Sequence, residues 1–585
     1  MKSKSLPFLN DEKQETALKL TYVRSGSKKM ILVFLVFLFC FYLIHSFTKN
    51  SKVRFTRQDS ENSVDILEGT TAPPISEYLL SKESERLTRK LSVSQAFVVS
   101  AYFYPTSKSL GENAIALNMV VDSINFDSSN YEYSFVGSNE THSESGLAVS
   151  QTQSNNKCRY ASSVATGNSL DNLTKLELES NGTRVEVVRV HSSPCILFFQ
   201  IPFKIARYTA PKPVIICVSP QFVAEQWPIF IMHAHTAHRF GGHMHIYVTS
   251  IIHEYFDLMK EYERQGYVTM EMWLRMKFEQ PGSKFFEPNL NTELRNQAGA
   301  ASDCLLQYKE AAEYIAFFDM NDLLFPVHYP TYLEEFNAIW AQKPNATSLV
   351  YKQVEHEFLN RKLNILQECF RGAYQTFSAS NLSEYSFHEL VASLRTSSAR
   401  SFRVVVKPVL HNSIGIHGSD WEDPNTRSPI SISAFEFISH ISRIHVASPH
   451  IIHVKNPVWK NKTKEFEHIR NPRFWIFNET IHQNDVIAIH DDILRLKTNK
   501  KISRVGPSLP SEDFYSPIIF QCFVSQFYGK PLEECPNAEK CTLPQRKNTK
   551  CMHTNAEYIS GPPTHPFTFH FFRNPIWSSE YGCYQ

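Results

Sequence analysis

The stretch YIAFFDMNDLLFP, residues 314–326, runs five apolar residues straight into Asp319, Asn321 and Asp322. A run that is apolar on both faces reads as an inner strand of a mostly parallel sheet. Ligands of such sheets sit just beyond the carboxyl ends of the strands, where these polar residues emerge. Carboxylate oxygens grouped there can hold a hard divalent cation, although Asp-x-Asn-Asp is also ordinary turn composition after a buried strand.

The flanking sequence supports the parallel reading. PVIICVSP (213–220) is a continuous buried-strand run, 221–240 reads as a helix, HMHIYV (243–248) as a strand, 251–265 as a helix closed by Gly266, and YVTMEMW (267–273) as another strand. Strands alternating with helices specify an α/β domain. Before it, short runs rich in Val, Ile, Phe and Tyr at 96–105, 114–122, 184–190 and 195–203 predict a small β-rich subdomain, with the polar stretch 137–156 as a mobile loop.

The chain has 585 residues, 42% hydrophobic and 13% aromatic, enough for more than one core. Sixty Lys and Arg against 58 Asp and Glu leave a formal charge of +2, so no basic footprint argues for nucleic acid. MILVFLVFLFCFYLIHSF (30–47) is near the length that spans a bilayer and lacks a small-residue cleavage site, which predicts one membrane anchor. Lys19, Arg24, Lys28 and Lys29 before it are matched by Lys49, Lys52, Arg54 and Arg57 after it, so flanking charge does not orient it. All seven N-x-S/T sequons (Asn139, Asn172, Asn181, Asn345, Asn381, Asn461, Asn478) and ten of eleven cysteines follow it, which favours a luminal body. The expected organisation is a cytoplasmic tail at 1–29, an anchor at 30–47, a stem at 48–92, a β-rich subdomain at 93–210, an α/β domain at 211–510 and a Cys-rich extension at 511–585.

The segment from IICVSPQFVAEQW to VTMEMW, followed by DCLLQYKEAAEYIAFFDMNDLLFP, VVVKPVLHNSIGIH (404–417) and ASPHIIHVK (447–455), resembles glycosyltransferase family 92. The resemblance implies a GT-A-like nucleotide-sugar transferase fold, a Golgi-type single-pass type II membrane enzyme, and inverting transfer of a hexose, galactose foremost, from a UDP-sugar to a glycan. It also implies a Mn²⁺ cofactor at Asp319, Asn321 and Asp322, with His417 and His453 at the positions of family histidines and Asp319 and Lys455 on the donor. The family usually has an acid at position 321, and Lys455 replaces an arginine, keeping charge while losing the bidentate fork. Glu422 and Asp423 in HGSDWEDP are possible bases for the acceptor hydroxyl. The rival reading is a membrane-anchored carbohydrate-binding protein without turnover, which Asn321 keeps open. The carboxylates are expected to hold charge that the core does not need.

His233, His235, His238, His243 and His245 lack an H-E-x-x-H pairing, and positions 233 and 235 point apart on a helix, so they do not read as a zinc site. The cysteines are expected to form disulfides, with Cys217 and Cys304 either paired or free core thiols.

The topology makes a prediction: glycosidase digestion of protein from intact cells increases its electrophoretic mobility. An unchanged band, with Asn345 and Asn461 accessible to a cytosolic label, would place the body on the other side.

Overall fold

The computed structural model describes residues 94–124, 131–147, 149–153, 157–182, 199–277, 287–358, 382–415, 443–454, 481–511, 513–527, 534–560 and 567–583. The expected anchor at 30–47 and strand at 184–190 lie outside these residues. No helix among the described residues is long and apolar enough to cross a membrane. Contacts gather Ser76–Gln585 into one unit.

The run that follows Pro213 forms the strand Val214–Gln221, paired in parallel with Gly242–Val248 on one side and Tyr314–Phe318 on the other, with Val268–Met272 beyond Gly242–Val248. Both faces are covered, as expected of parallel strands. Val214, Ile216, Val218, Tyr314, Ala316 and Phe318 enter one core, while Ile215, Cys217, Ile315 and Phe317 join another on the opposite face. Helices Trp227–Arg239, His253–Arg264 and Gln297–Tyr308 lie between successive strands. The first is shorter than its sequence signal. Pro228 occupies the first turn, where its missing N–H costs nothing, and Ala224 ahead of it bridges to Ile251 instead.

Beyond Tyr314–Phe318 the sheet continues through Leu394–Val406, antiparallel to it, then Ser348–Phe358, Arg443–Val454 and Asp322–Leu324. The chain therefore turns back at Asp319 and pairs Asp322 with His453. The strand order reverses between Val214–Gln221 and Tyr314–Phe318, and this switch point is where an open α/β sheet leaves a crevice.

The β-rich part is built from both ends of the described chain. Ser94–Ser107 pairs antiparallel with Gly111–Asp122 and parallel with Phe567–Tyr581. Phe567–Tyr581 pairs with Lys550–Ser560, which reaches Ser250–Ile252 next to the α/β sheet. The polar stretch expected to be a loop instead contains Ser143–Leu147 and Val149–Gln153 and the end of Tyr131–Ser138. Ser143–Leu147 pairs with Tyr131–Ser138, whose other edge pairs with Lys175–Gly182, and Val149–Gln153 pairs with Tyr160–Asn168, so ladder hydrogen bonds engage the backbone of these strands.

Among the described residues, disulfides link Cys158 with Cys535, Cys217 with Cys304, Cys522 with Cys541, and Cys551 with Cys583. The second resolves the alternative left open by sequence: Cys217 on the Val214–Gln221 strand is bonded to Cys304 on the helix Gln297–Tyr308. It closes a separation of 87 residues. Replacing both by alanine should cost about 2–4 kcal/mol through the freer unfolded chain, read as a lower unfolding midpoint in denaturant. An unchanged midpoint would show that the bridge does not constrain the sheet.

Candidate functional site

The Tyr314–Phe318 strand delivers Asp319 to the switch point, where its Oδ1 accepts hydrogen bonds from Ser219 Oγ at 2.8 Å and Gln297 Nε2 at 3.3 Å. Ser219 lies near the end of the neighbouring parallel strand, and Gln297 opens the helix that precedes Tyr314–Phe318. Beside them lies a cleft with about 420 Å³ of empty space, open to solvent, lined by Ser219, Tyr247, Gln297, Asp319, Arg403 and Gly415 among others.

Asp322 lies beneath the cleft and is fully buried. Its Oδ2 accepts from the Asp319 backbone N–H at 2.8 Å and from Arg403 Nε at 2.5 Å. Its Oδ1 accepts from Gln353 Nε2 at 2.7 Å and His453 Nδ1 at 2.7 Å. Burial pushes this carboxyl up, but the Arg403 guanidinium and the His453 hydrogen bond outweigh it and hold the group well below the usual carboxylate range. Arg403 also donates through Nη2 to Asp319 Oδ2, so one guanidinium spans both carboxylates. Burial works against its charge, yet the two carboxylates raise its pKa above the ordinary arginine value.

Asn321 is tied to the Arg443–Val454 strand. Its backbone carbonyl accepts from Val454 N–H at 2.9 Å, and its side-chain Nδ2 donates to Val454 O at 2.8 Å and to His453 Nε2 at 3.2 Å. Burial lowers the His453 pKa, but its hydrogen bond to Asp322 and that carboxylate's charge reverse this and leave it raised. The Met320 carbonyl accepts a hydrogen bond from His233 Nδ1 at 3.0 Å; burial pushes this imidazole down to about 4, so it is neutral near pH 7. A helix thus fixes the acidic turn from behind.

The structure brings together Asp319, Asn321, Asp322 and His453. His417, Glu422, Asp423 and Lys455 lie outside the described residues. Sequence reasoning missed Ser219, Gln297, Gln353 and Arg403. Ser219 carried a signal, since it lies near the carboxyl end of the parallel strand next to the acidic one, whereas Arg403 is 84 residues from Asp319 and carried none. The remaining histidines take separate partners: His235 contacts Asp492 and Tyr262, His238 stacks on Tyr267, His243 bonds Thr269, and His245 lies against Glu271 and Tyr308.

The described members of the expected Mn²⁺ set, Asp319, Asn321, Asp322 and His453, do not by themselves make a fit for the ion. Among the described residues no group of three or more His, Cys, Asp or Glu side chains is arranged to hold a metal. An ionised carboxylate offers about four lone-pair sites, and Asp322 has four donors on its two oxygens. The Asn321 amide turns its NH₂, not its carbonyl, toward His453.

A mixed sheet with a parallel half and a polar crevice at its switch point defines an α/β protein whose ligand crevice lies at the carboxyl ends of the parallel strands. The sequence profile of glycosyltransferase family 92 matches residues 212–495, which contain the whole switch-point site. The Caenorhabditis elegans protein called glycosyltransferase family 92 protein ZK381.2 is 47% identical over 515 residues, covering 87% of this chain and 93% of the relative. A second protein of that organism, glycosyltransferase family 92 protein F55C10.4, is 34% identical over 86% of this chain and 93% of its own length. The chain belongs to glycosyltransferase family 92.

The two carboxylates have different duties. Asp322 is fully buried and paired, whereas the Asp319 side chain is 30% exposed at the cleft. Contrary to the sequence expectation, Asp322 is a charge that the fold does need. Asp322→Ala should lower stability by about 3–5 kcal/mol by stranding Arg403, and Asp319→Ala by about 1 kcal/mol. Chemical denaturation of both variants checks this, and equal losses would contradict the division.

Proposed function

We propose that the chain transfers a hexose, galactose foremost, from a UDP-sugar to a glycan acceptor with inversion at the anomeric carbon. The observation that carries the reading is Asp319 placed with Ser219, Gln297 and Arg403 on an open cleft at the switch point of a family 92 chain. As the bond from the sugar to the diphosphate breaks, negative charge builds on the leaving group, and catalysis needs preorganised positive charge at that position. Among the described residues, Arg403 is the cation that lines this cleft. Asp319 orients the strand-end groups and offers an oxygen to donor hydroxyls. The acceptor hydroxyl attacks from the opposite face and loses its proton to a carboxylate, for which Glu422 and Asp423 remain the candidates.

The body is proposed to face the lumen of a secretory-pathway membrane, the Golgi foremost, on a single type II anchor at 30–47. The disulfides support an oxidising compartment, and the sequons Asn172 and Asn345 are exposed. One observation favours the alternative of a carbohydrate-binding protein without turnover: Asn321, at the position where the family usually has an acid, is held to the strand and to His453 by its amide.

The test incubates the purified full-length chain with UDP-hexoses and a glycan panel and follows UDP release. Acceptor-dependent release, reduced about 100-fold or more in Asp319→Ala, is expected. Glycan binding with no UDP release from any donor would decide for the binding protein.

A further inference from the structure

The switch-point cleft contains a cation that belongs to the chain itself. Arg403 reaches Asp322 through Nε and Asp319 through Nη2, while its Nη1 lies 3.3 Å from the Phe402 carbonyl. A guanidinium has five N–H bonds, and these contacts use three, leaving two without a partner among the described residues on a side chain that lines the cleft. A divalent cation placed between the same carboxylates would have to displace an arginine held by two ion pairs.

The second feature is independent of the first. A cation drawing on position 321 and His453 needs a lone pair from each. The Val454 carbonyl fixes the Asn321 amide so that its NH₂ points at His453 Nε2, and that nitrogen keeps no open lone pair: it accepts this hydrogen bond in the neutral imidazole and carries a proton in the imidazolium. Asp322 has no lone pair left over. Asp319 accepts from Ser219, Gln297 and Arg403, which leaves it about one site of its four. The described side chains therefore offer a cation about one open site on Asp319 and the neutral Asn321 Oδ1, where Mn²⁺ bound through protein carboxylates needs several donors.

We propose that this chain binds the diphosphate of its nucleotide-sugar without a divalent cation, with the Arg403 guanidinium as the resident positive charge and the Asn321 amide closing the nitrogen of His453 that a metal would use. The proposal rests on the reading of this cleft as a donor site. Arg403 is a binding and positioning residue: its ion pairs hold the guanidinium rigidly, and its two open N–H bonds suit charge-assisted hydrogen bonds to phosphate oxygens. It also cancels part of the repulsion that Asp319 and Asp322 would exert on an anionic donor.

The test uses the purified full-length chain and UDP as probe, titrated calorimetrically in EDTA and again in MnCl₂. Binding of free Mn²⁺ is followed separately by electron paramagnetic resonance. The dissociation constant for UDP is expected to agree within about twofold between the two conditions, and Arg403→Gln should weaken UDP binding in EDTA about tenfold or more. Arg403→Lys, which keeps the charge without the fork, should fall between them. The parent should leave the Mn²⁺ signal unchanged, and Asn321→Asp, which adds a carboxylate of nearly the same shape, should bind the ion. UDP binding that requires Mn²⁺ would overturn the proposal while sparing the donor site. Tight UDP binding by Arg403→Gln would overturn the role given to the arginine, and an Asn321→Asp variant no better than the parent at holding Mn²⁺ would overturn the role given to the amide. No UDP binding in either condition would remove the donor-site reading and the proposal with it.

Discussion

One buried carboxylate organises this end of the sheet. Asp322 receives hydrogen bonds from the turn after the Tyr314–Phe318 strand, from Arg403 on the Leu394–Val406 strand, from Gln353 on the Ser348–Phe358 strand and from His453 on the Arg443–Val454 strand. A fully buried charge is tolerable only when its lone pairs are satisfied and opposite charge is near. Both conditions are met here, and the three side-chain partners come from three different strands. The register that pairs Asp322 with His453 and Tyr351 with Arg403 is therefore coupled to the polar chemistry of the site. Asp319 inherits its place from this arrangement, because its backbone N–H and one side-chain oxygen are bound within the same network.

The parallel half of the fold was legible because it depends on local patterning. An apolar run such as VIICV can be buried on both faces only within a covered sheet, and alternation with helices then dictates parallel pairing. The strand-end position of Asp319 followed from the same logic. What sequence could not supply were the partners that arrive from across the sheet. Arg403 lies on a long strand with no local motif, and nothing in its neighbours indicates that it will meet two carboxylates. The polar stretch at 137–156 misled because its strands are stabilised by backbone ladders rather than by an alternating apolar face. The C-terminal strands were obscured in the same way. Cysteine spacing drew the reading toward a separate extension, while Phe567–Tyr581 pairs with the first described strand of the chain.

The carboxylates of the acidic motif are read differently once their surroundings are known. Sequence treats Asp319 and Asp322 as two equivalent ligands on one turn. Burial separates them, since one faces an open cleft and the other closes a network with no room for solvent. The switch-point geometry marks where a ligand of such a sheet would lie. The side chains that meet there are those of a site whose charges are balanced largely from within.

The measurement that tests this account most directly is a double-mutant cycle between Asp322 and Arg403, using Asp322→Asn, Arg403→Gln and the combined variant in equilibrium unfolding. If the buried pair organises the site, the two losses are strongly non-additive, with a coupling of about 2 kcal/mol, because either single change strands the other partner. Losses that add to within about 0.5 kcal/mol would mean that the two residues act independently and would contradict the account.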